Sequence, residues 1–272
     1  MTPTLRLHDG HRIPKLGFGL WQLPPDQTGG LVNAALESGY RMLDGASIYG
    51  NEAGLGQGIR ASGLPREEVF VTTKVWNEFQ GFDSTLRAVE ESLAQIGVNY
   101  LDLCLIHWPA PRRNRYVETW KALIRLQAEG RIRSIGVSNF NADHLARIEG
   151  ETGVRPVLNQ IELNPRIQQA ELRALHAAKG IVTQSWTPLG QSRDFDTPEI
   201  ATIAARLSRS PAQVILRWHL QLGCSVIPRS SSPARIVENF RLFEFDLSEA
   251  DMASIARLQT GERCGPDPKD FE

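Results

Sequence analysis

Short apolar runs that stop on chemically capable residues recur along this chain, and helical patterns separate most of them. Run 42–44 ends on Asp44, 69–74 on Lys74, and 101–107 on His107. Run 134–139 ends on Ser138 and Asn139, 181–186 on Trp186, and 225–230 on Arg229 and Ser230. Strands alternating with helices favour parallel sheets joined by crossovers. In a closed barrel of that kind the strand ends share one face, and side chains distant in sequence meet there.

Turn residues divide the chain further. Residues 5–7 and 12–14 flank Asp9-Gly10, a hairpin signal, because Gly tolerates the positive φ of a tight turn. A first strand is predicted over 16–18 and another over 158–162. Helices are predicted over 28–38, 51–61 and from Asp83 or Ser84 (as cap) to about 96. Gly39, Gly63 and Gly97 stop them. Leu86, Val89, Leu93 and Ile96 keep a helical period. Further helices carry Trp120 to Leu126, Leu145 with Ile148, and Leu172 with Leu175. Two fit between Pro198 and Leu222, the second opened by Ser210-Pro211. A last pair covers about 233–239 and 249–258.

Eight core strands result, each followed by helix. The expected fold is α/β: a (β/α)8 TIM barrel with an N-terminal β-hairpin and two extra helices, one domain over 1–272, with an irregular tail at 261–272. The 272 residues suit a barrel of roughly 250. An open doubly wound sheet is the alternative, but no GxGxxG opens a helix after the first strand. Gly17-Phe18-Gly19 lacks the third glycine.

A net charge of −1 argues against nucleic-acid and membrane-surface partners. Arg112, Arg113 and Arg115 read as a solvated loop. Cys104, Cys224 and Cys264 show no CxxC spacing and fit a reducing compartment, Cys104 as core packing. The sequence shows neither a leader pattern nor a run of about 18 apolar residues, so a cytoplasmic location is expected. No metal site is expected, because His, Asp and Cys lack ligand spacing.

Asp44, Tyr49, Lys74 and His107 fall at or just past three successive strand ends, and their types suit carbonyl chemistry. Tyrosine titrates near 10, too high for easy proton exchange at neutrality, and a nearby ammonium lowers that value. A carboxylate would hold the lysine charged, and a histidine can orient a carbonyl. Each alone has a commonplace reading: a solvated lysine, a structural histidine, a tyrosine packing a turn, an aspartate cap. The set argues otherwise.

These residues carry a family resemblance. Gly39-Tyr40-Arg41-Met42-Leu43-Asp44, continuing through Tyr49-Gly50-Asn51-Glu52, resembles the first signature of the aldo-keto reductases. Thr73-Lys74 and Ile106-His107-Trp108-Pro109 resemble their lysine and histidine motifs. Residues 130–140 resemble the second signature, and Ile227-Pro228-Arg229-Ser230 through Arg235, Glu238 and Asn239 the third. The likeness runs over about 5–258, and is greatest to the bacterial 2,5-diketo-D-gluconate reductases.

The resemblance implies a monomeric NADPH-dependent oxidoreductase that reduces aldehydes or ketones, among them keto-sugar acids. Tyr49 would be the general acid, Lys74 paired with Asp44 would lower its pKa, and His107 would orient the carbonyl. Gly19, Leu20, Ser138, Asn139, Gln160, Trp186, Leu189 and Gly190 would hold the cofactor, with Trp186 stacked on the nicotinamide. Arg229, Ser230, Ser232 and Arg235 would bind the 2′-phosphate of NADPH/NADP+, with Glu238 and Asn239 near the adenine. Trp21, Ser47, Trp76, His107 and Trp108 would bind the small-molecule carbonyl substrate, with part of the tail. Two arginines and hydroxyls opening a helix also form an anion site on their own chemistry. Three departures stand out. Met42 follows Arg41 where the family has a small set including His; Gly45 replaces a common Thr, loosening the turn behind Asp44; Arg229 stands where Lys is commonest. Two other classes remain open: a non-catalytic NADPH-binding sensor or regulatory protein on the same fold, and a lyase using Lys74 as a Schiff-base nucleophile.

Overall fold

The computed structural model describes residues 2–272. Thr4–Arg6 (β1) and Arg12–Pro14 (β2) pair antiparallel, with Leu5 opposite Ile13. The barrel strands follow as Phe18–Gly19 (β3), Met42–Asp44 (β4), Phe70–Val75 (β5), Leu101–Ile106 (β6), Ile132–Ser138 (β7), Leu158–Glu162 (β8), Val182–Trp186 (β9) and Ser225–Val226 (β10). They form one eight-stranded parallel sheet in sequence order. The sheet closes on itself: Leu16 bridges Val226 in parallel, and Gly17 N donates to Val226 O at 2.9 Å and Gly19 N to Pro228 O at 3.0 Å. Closure excludes the open doubly wound alternative.

Eight helices alternate with these strands: Pro25–Glu37 (α1), Glu52–Ala61 (α2), Phe82–Ile96 (α3), Tyr116–Ala128 (α4), Ala142–Thr152 (α5), Ala170–Lys179 (α6), Pro211–Gln221 (α8) and Pro233–Phe240 (α9). The two extra helices are Pro198–Leu207 (α7) and Glu249–Ala256 (α10), which pack together. Helix α1 begins three residues before the predicted start, with Pro25 in its first turn. The predicted cap of α3 is corrected: Gly81, at φ 118°, caps it, and Ser84 Oγ instead donates to Gln80 O at 3.0 Å. The last strand is only two residues long; Ile227 N still donates to Ser185 O at 3.3 Å, and Pro228 after it cannot donate to a ladder.

Alternation along β6 shows how the core divides. Leu103 and Leu105 join Met42, Leu158 and Ile227 inside the barrel, where Leu7 and Ile13 of the hairpin plug the lower end. Cys104 and Ile106 face the helix layer. Charge is spent on stability at that lower face: Asp102 is 5% exposed and accepts from Val71 N at 3.0 Å and Arg66 Nη2 at 2.8 Å. The tail after Gly261 holds no helix or strand, as expected, and folds back over the barrel mouth.

Candidate active site

Asp44 ends β4, Lys74 lies one residue before the end of β5, and His107 follows β6 directly. Neighbouring parallel strands therefore bring them together, and a short 3-10 turn, Ser47–Tyr49, carries the tyrosine back over them. Lys74 is 1% exposed. Its ammonium donates to Asp44 Oδ1 at 2.5 Å, Gly45 O at 2.8 Å and Tyr49 Oη at 3.4 Å. All three of its protons are thus directed. The turn at Gly45 is held at both backbone atoms, since Gly45 N also donates to Thr72 O at 2.9 Å. These two bonds oppose the loosening that Gly45 would bring.

Electrostatics sets the resting protonation states. Burial opposes the charge on Lys74, but Asp44 and Tyr49 outweigh it and hold the ammonium pKa above its ordinary value. Burial lifts the Tyr49 phenol above 10; Lys74 pulls it down, Asp44 adds to the rise, and the net direction is upward. Lys74 acts in the expected direction, lowering the value, but desolvation is the larger effect in the resting site. Tyr49 consequently keeps its proton. Burial, then Lys74, hold His107 neutral, well below 6.5. His107 Nδ1 has no hydrogen-bond partner among the described residues.

A groove of about 1020 Å³ crosses the barrel mouth over these groups. That is the upper end of the roughly 300–1,000 Å³ usual for small-molecule sites. Aromatic rings wall one end. Trp21 lies 5.0 Å from Tyr49, Trp76 5.1 Å from His107, Phe271 4.5 Å from Trp108, and Trp108 6.3 Å from Trp186. In the middle, Trp186 Nε1 donates to Asn139 Oδ1 at 2.8 Å, and Asn139 Nδ2 to His107 O at 3.0 Å. Ser138 Oγ donates to Gln160 O at 2.9 Å. At the far end Ser230, Arg235, Glu238 and Asn239 line the groove with Arg229.

Besides Lys74, which lies behind Tyr49 and Asp44, four residues singled out from sequence stand off the groove lining. Leu20 is fully buried, its N–H on Asp44 O at 3.0 Å. Ser47 Oγ donates to Lys74 O at 3.1 Å. Gly190 sits behind the wall at φ 53°, and Ser232 Oγ caps α9 by accepting from Arg235 N. Ser231 lines the groove instead, with Gln22, Ile48, Gln191, Phe195, Cys264 and Phe271. Arg229 is also differently engaged: Nε donates to Trp21 O at 3.0 Å and Nη2 to Gln22 O at 3.2 Å. It straps the loop after β3 to the loop after β10.

The residues fit an extended dinucleotide with an extra phosphate. Arg235 is exposed and stands in the first turn of a capped helix. Such an end attracts anions. Gly19 lets the groove floor run close to the strap, since a Cβ there would sit 3.0 Å from Ile227 O.

A family model described as the aldo/keto reductase family matches residues 15–260. An aldo-keto reductase of Mycolicibacterium smegmatis is 51% identical over 271 residues, covering 100% of this chain and 98% of the relative. A methylglyoxal reductase DkgA of Yersinia pestis is 45% identical, covering 100% and 98%. Among solved structures, a mutant of Gox0644 in complex with NADPH superposes with a TM-score of 0.96 at 48% identity, covering 100% of this chain and 99% of that one.

Proposed function

The chain belongs to the aldo/keto reductase family, and on that premise we propose that it reduces small neutral aldehydes and ketones with NADPH, using Tyr49 as the proton donor. The observation that carries this reading is the saturated Lys74: its contacts to Asp44, Gly45 O and Tyr49 fix a phenol at the floor of a groove long enough for cofactor and substrate.

NADPH bound along the groove supplies the hydride that reduces the carbonyl carbon. Ser138, Asn139 and Gln160 are the groups that would orient its carboxamide, with Trp186 as the stacking face. Ser230, Arg235 and a redirected Arg229 would hold the 2′-phosphate. Tyr49 Oη gives its proton to the carbonyl oxygen as charge develops there. Lys74 then faces a phenolate and stabilises it, which is where its attraction does most good. Neutral His107 presents a ring nitrogen to the same oxygen without competing as a cation. The aromatic walls exclude water and leave the developing charge to these donors.

The reaction end favours neutral substrates. The groove lining has two arginines and no lysine among the described residues: Arg229 is tied to the carbonyls of Trp21 and Gln22, and Arg235 stands on α9, so neither is free beside Tyr49. A carboxylate there would be buried unpaired, at a cost of several kcal/mol. This supports simple aldehydes and dicarbonyls over keto-sugar acids, in keeping with the name of the Yersinia relative, a methylglyoxal reductase. The Schiff-base alternative is disfavoured, since Lys74 is charged and directed at three oxygens. The sensor alternative leaves the complete Asp44, Tyr49, Lys74 and His107 set without a task.

Three unpaired thiols suit a reducing cytoplasm. The test is NADPH consumption with a panel of neutral aldehydes, dicarbonyls and keto acids. Turnover is expected with the neutral members. No consumption with any member would refute the reading.

A further inference from the structure

Glu162 lies outside the proposed proton path, yet it is a carboxylate that is 1% exposed at the carboxyl end of β8. Its nearest cation is distant, Arg263 Nη1 at 3.8 Å from Oε2. Two backbone groups of the tail hold it: Cys264 N donates to Oε1 at 2.5 Å and Gly265 N to Oε2 at 3.2 Å. A buried carboxylate is costly unless hydrogen-bonded, and bonds of this charge-assisted kind are the strong ones.

What the clasp brings into place is specific. Glu162 pairs in register with Trp186 on β9. An ideal Cβ on Gly265 would lie 2.5 Å from Trp186 Cη2, so the tail passes directly against the indole edge, where only glycine fits. Six residues on, Phe271 packs tilted against Trp108 at 4.5 Å and meets Trp76 edge-on at 6.1 Å. The other tail pins are more exposed: Glu262 on Arg166 at 2.9 Å, and Glu272 on Arg112 N at 2.8 Å.

We propose that Glu162 is a positioning residue that clasps the C-terminal tail to the barrel mouth, so that Gly265 backs the Trp186 ring and Phe271 caps the carbonyl end of the groove. This rests on the assignment of that end to the carbonyl substrate. Glu162 acts on substrate binding through the tail and takes no part in proton transfer. Glu162→Gln keeps the shape but turns an amide toward one of the two backbone donors.

Two measurements on the full chain test it. Amide hydrogen exchange across 261–272 should accelerate about tenfold or more in Glu162→Gln, the size expected for loss of a charge-assisted hydrogen bond. The same variant should raise KM for a neutral aldehyde about tenfold, with kcat little changed. In a Phe271→Ala background it should raise KM no further, because both act through one tail. Cys264→Pro, which removes the shorter donor from the tail side, should reproduce the KM effect if Glu162→Gln folds poorly. Unchanged exchange, or additive effects of Glu162→Gln and Phe271→Ala on KM, would overturn the clasp. Exchange needs no turnover, so a parent protein that reduces no carbonyl would contradict the functional reading while the clasp is still judged.

Discussion

Gln160 Nε2 donates to Asp44 Oδ2 at 2.7 Å, joining residues 116 apart in sequence across the barrel interior. Its other amide proton goes to Gln184 Oε1 at 2.7 Å. Lys74 takes the second oxygen of Asp44. A residue proposed to orient the cofactor thus also fixes the carboxylate that fixes the lysine. Cofactor placement and proton supply share one side chain.

Gln160→Leu should therefore do more than weaken cofactor binding. It strips a donor from a buried carboxylate, a loss of about 1–3 kcal/mol. We expect kcat for carbonyl reduction to fall about tenfold to hundredfold, together with a higher Kd for NADPH. Steady-state kinetics at saturating NADPH separates the two effects. A rise in Kd alone, with kcat intact, would show that the bond to Asp44 has no catalytic consequence.

The phosphate end makes a cofactor-selectivity prediction. Arg235→Ala should weaken NADPH about tenfold or more and NADH hardly at all, since only NADPH offers the 2′-phosphate. Fluorescence titration with both nucleotides measures this. Equal losses would move the phosphate elsewhere.

Substrate charge is testable by adding what the pocket lacks. Ile48 is 45% exposed and lines the groove. Ile48→Arg should raise kcat/KM for keto acids relative to neutral aldehydes, by about tenfold, the worth of one charge-assisted pair. A wild-type preference for keto acids, or no change in the ratio, would contradict the neutral-substrate reading.

Acid should weaken the fold through two buried histidines. Burial lowers His176 to about 4 and His219 to about 3. The unfolded chain, with histidine near 6.5, binds protons first as pH falls, so this stability is complete above 6.5 and is lost toward 4 and 3. His176 is held neutral between Asn159 Nδ2 at 3.0 Å and Thr183 Oγ1 at 2.9 Å. Between pH 7 and 5, His176→Gln should lose about 2 kcal/mol less than the parent in urea unfolding. Equal losses would mean that this histidine is not the acid-sensitive group.

The barrel was legible because strands and helices differ in period and because glycines stopped the helices where φ turns positive, as at Gly97 and Gly180. The proton set was legible because strand ends converge. The tail was legible as an irregular part of the pocket wall; the strap and the loop turns that shape the groove were not. Gln22, Asn139, Thr187 and Gln191 adopt left-handed φ of 57°, 64°, 47° and 57° around the groove without being glycine, so no local signal marks those turns. The Arg229 contacts to Trp21 O and Gln22 O join backbone carbonyls over 200 positions away. The capping contact of Ser232 went unread for a related reason. A serine before Pro233 opens a helix as readily as it binds an anion, and here its oxygen caps the helix.

The central claim is that Tyr49 donates the proton in an NADPH-dependent carbonyl reduction. The most direct measurement is the turnover of Tyr49→Phe with a neutral aldehyde, alongside its Kd for NADPH. The account predicts a fall in kcat of about a hundredfold or more, the usual weight of a positioned general acid, with Kd for NADPH nearly unchanged. A Tyr49→Phe variant that reduces the aldehyde at the parent rate would contradict it.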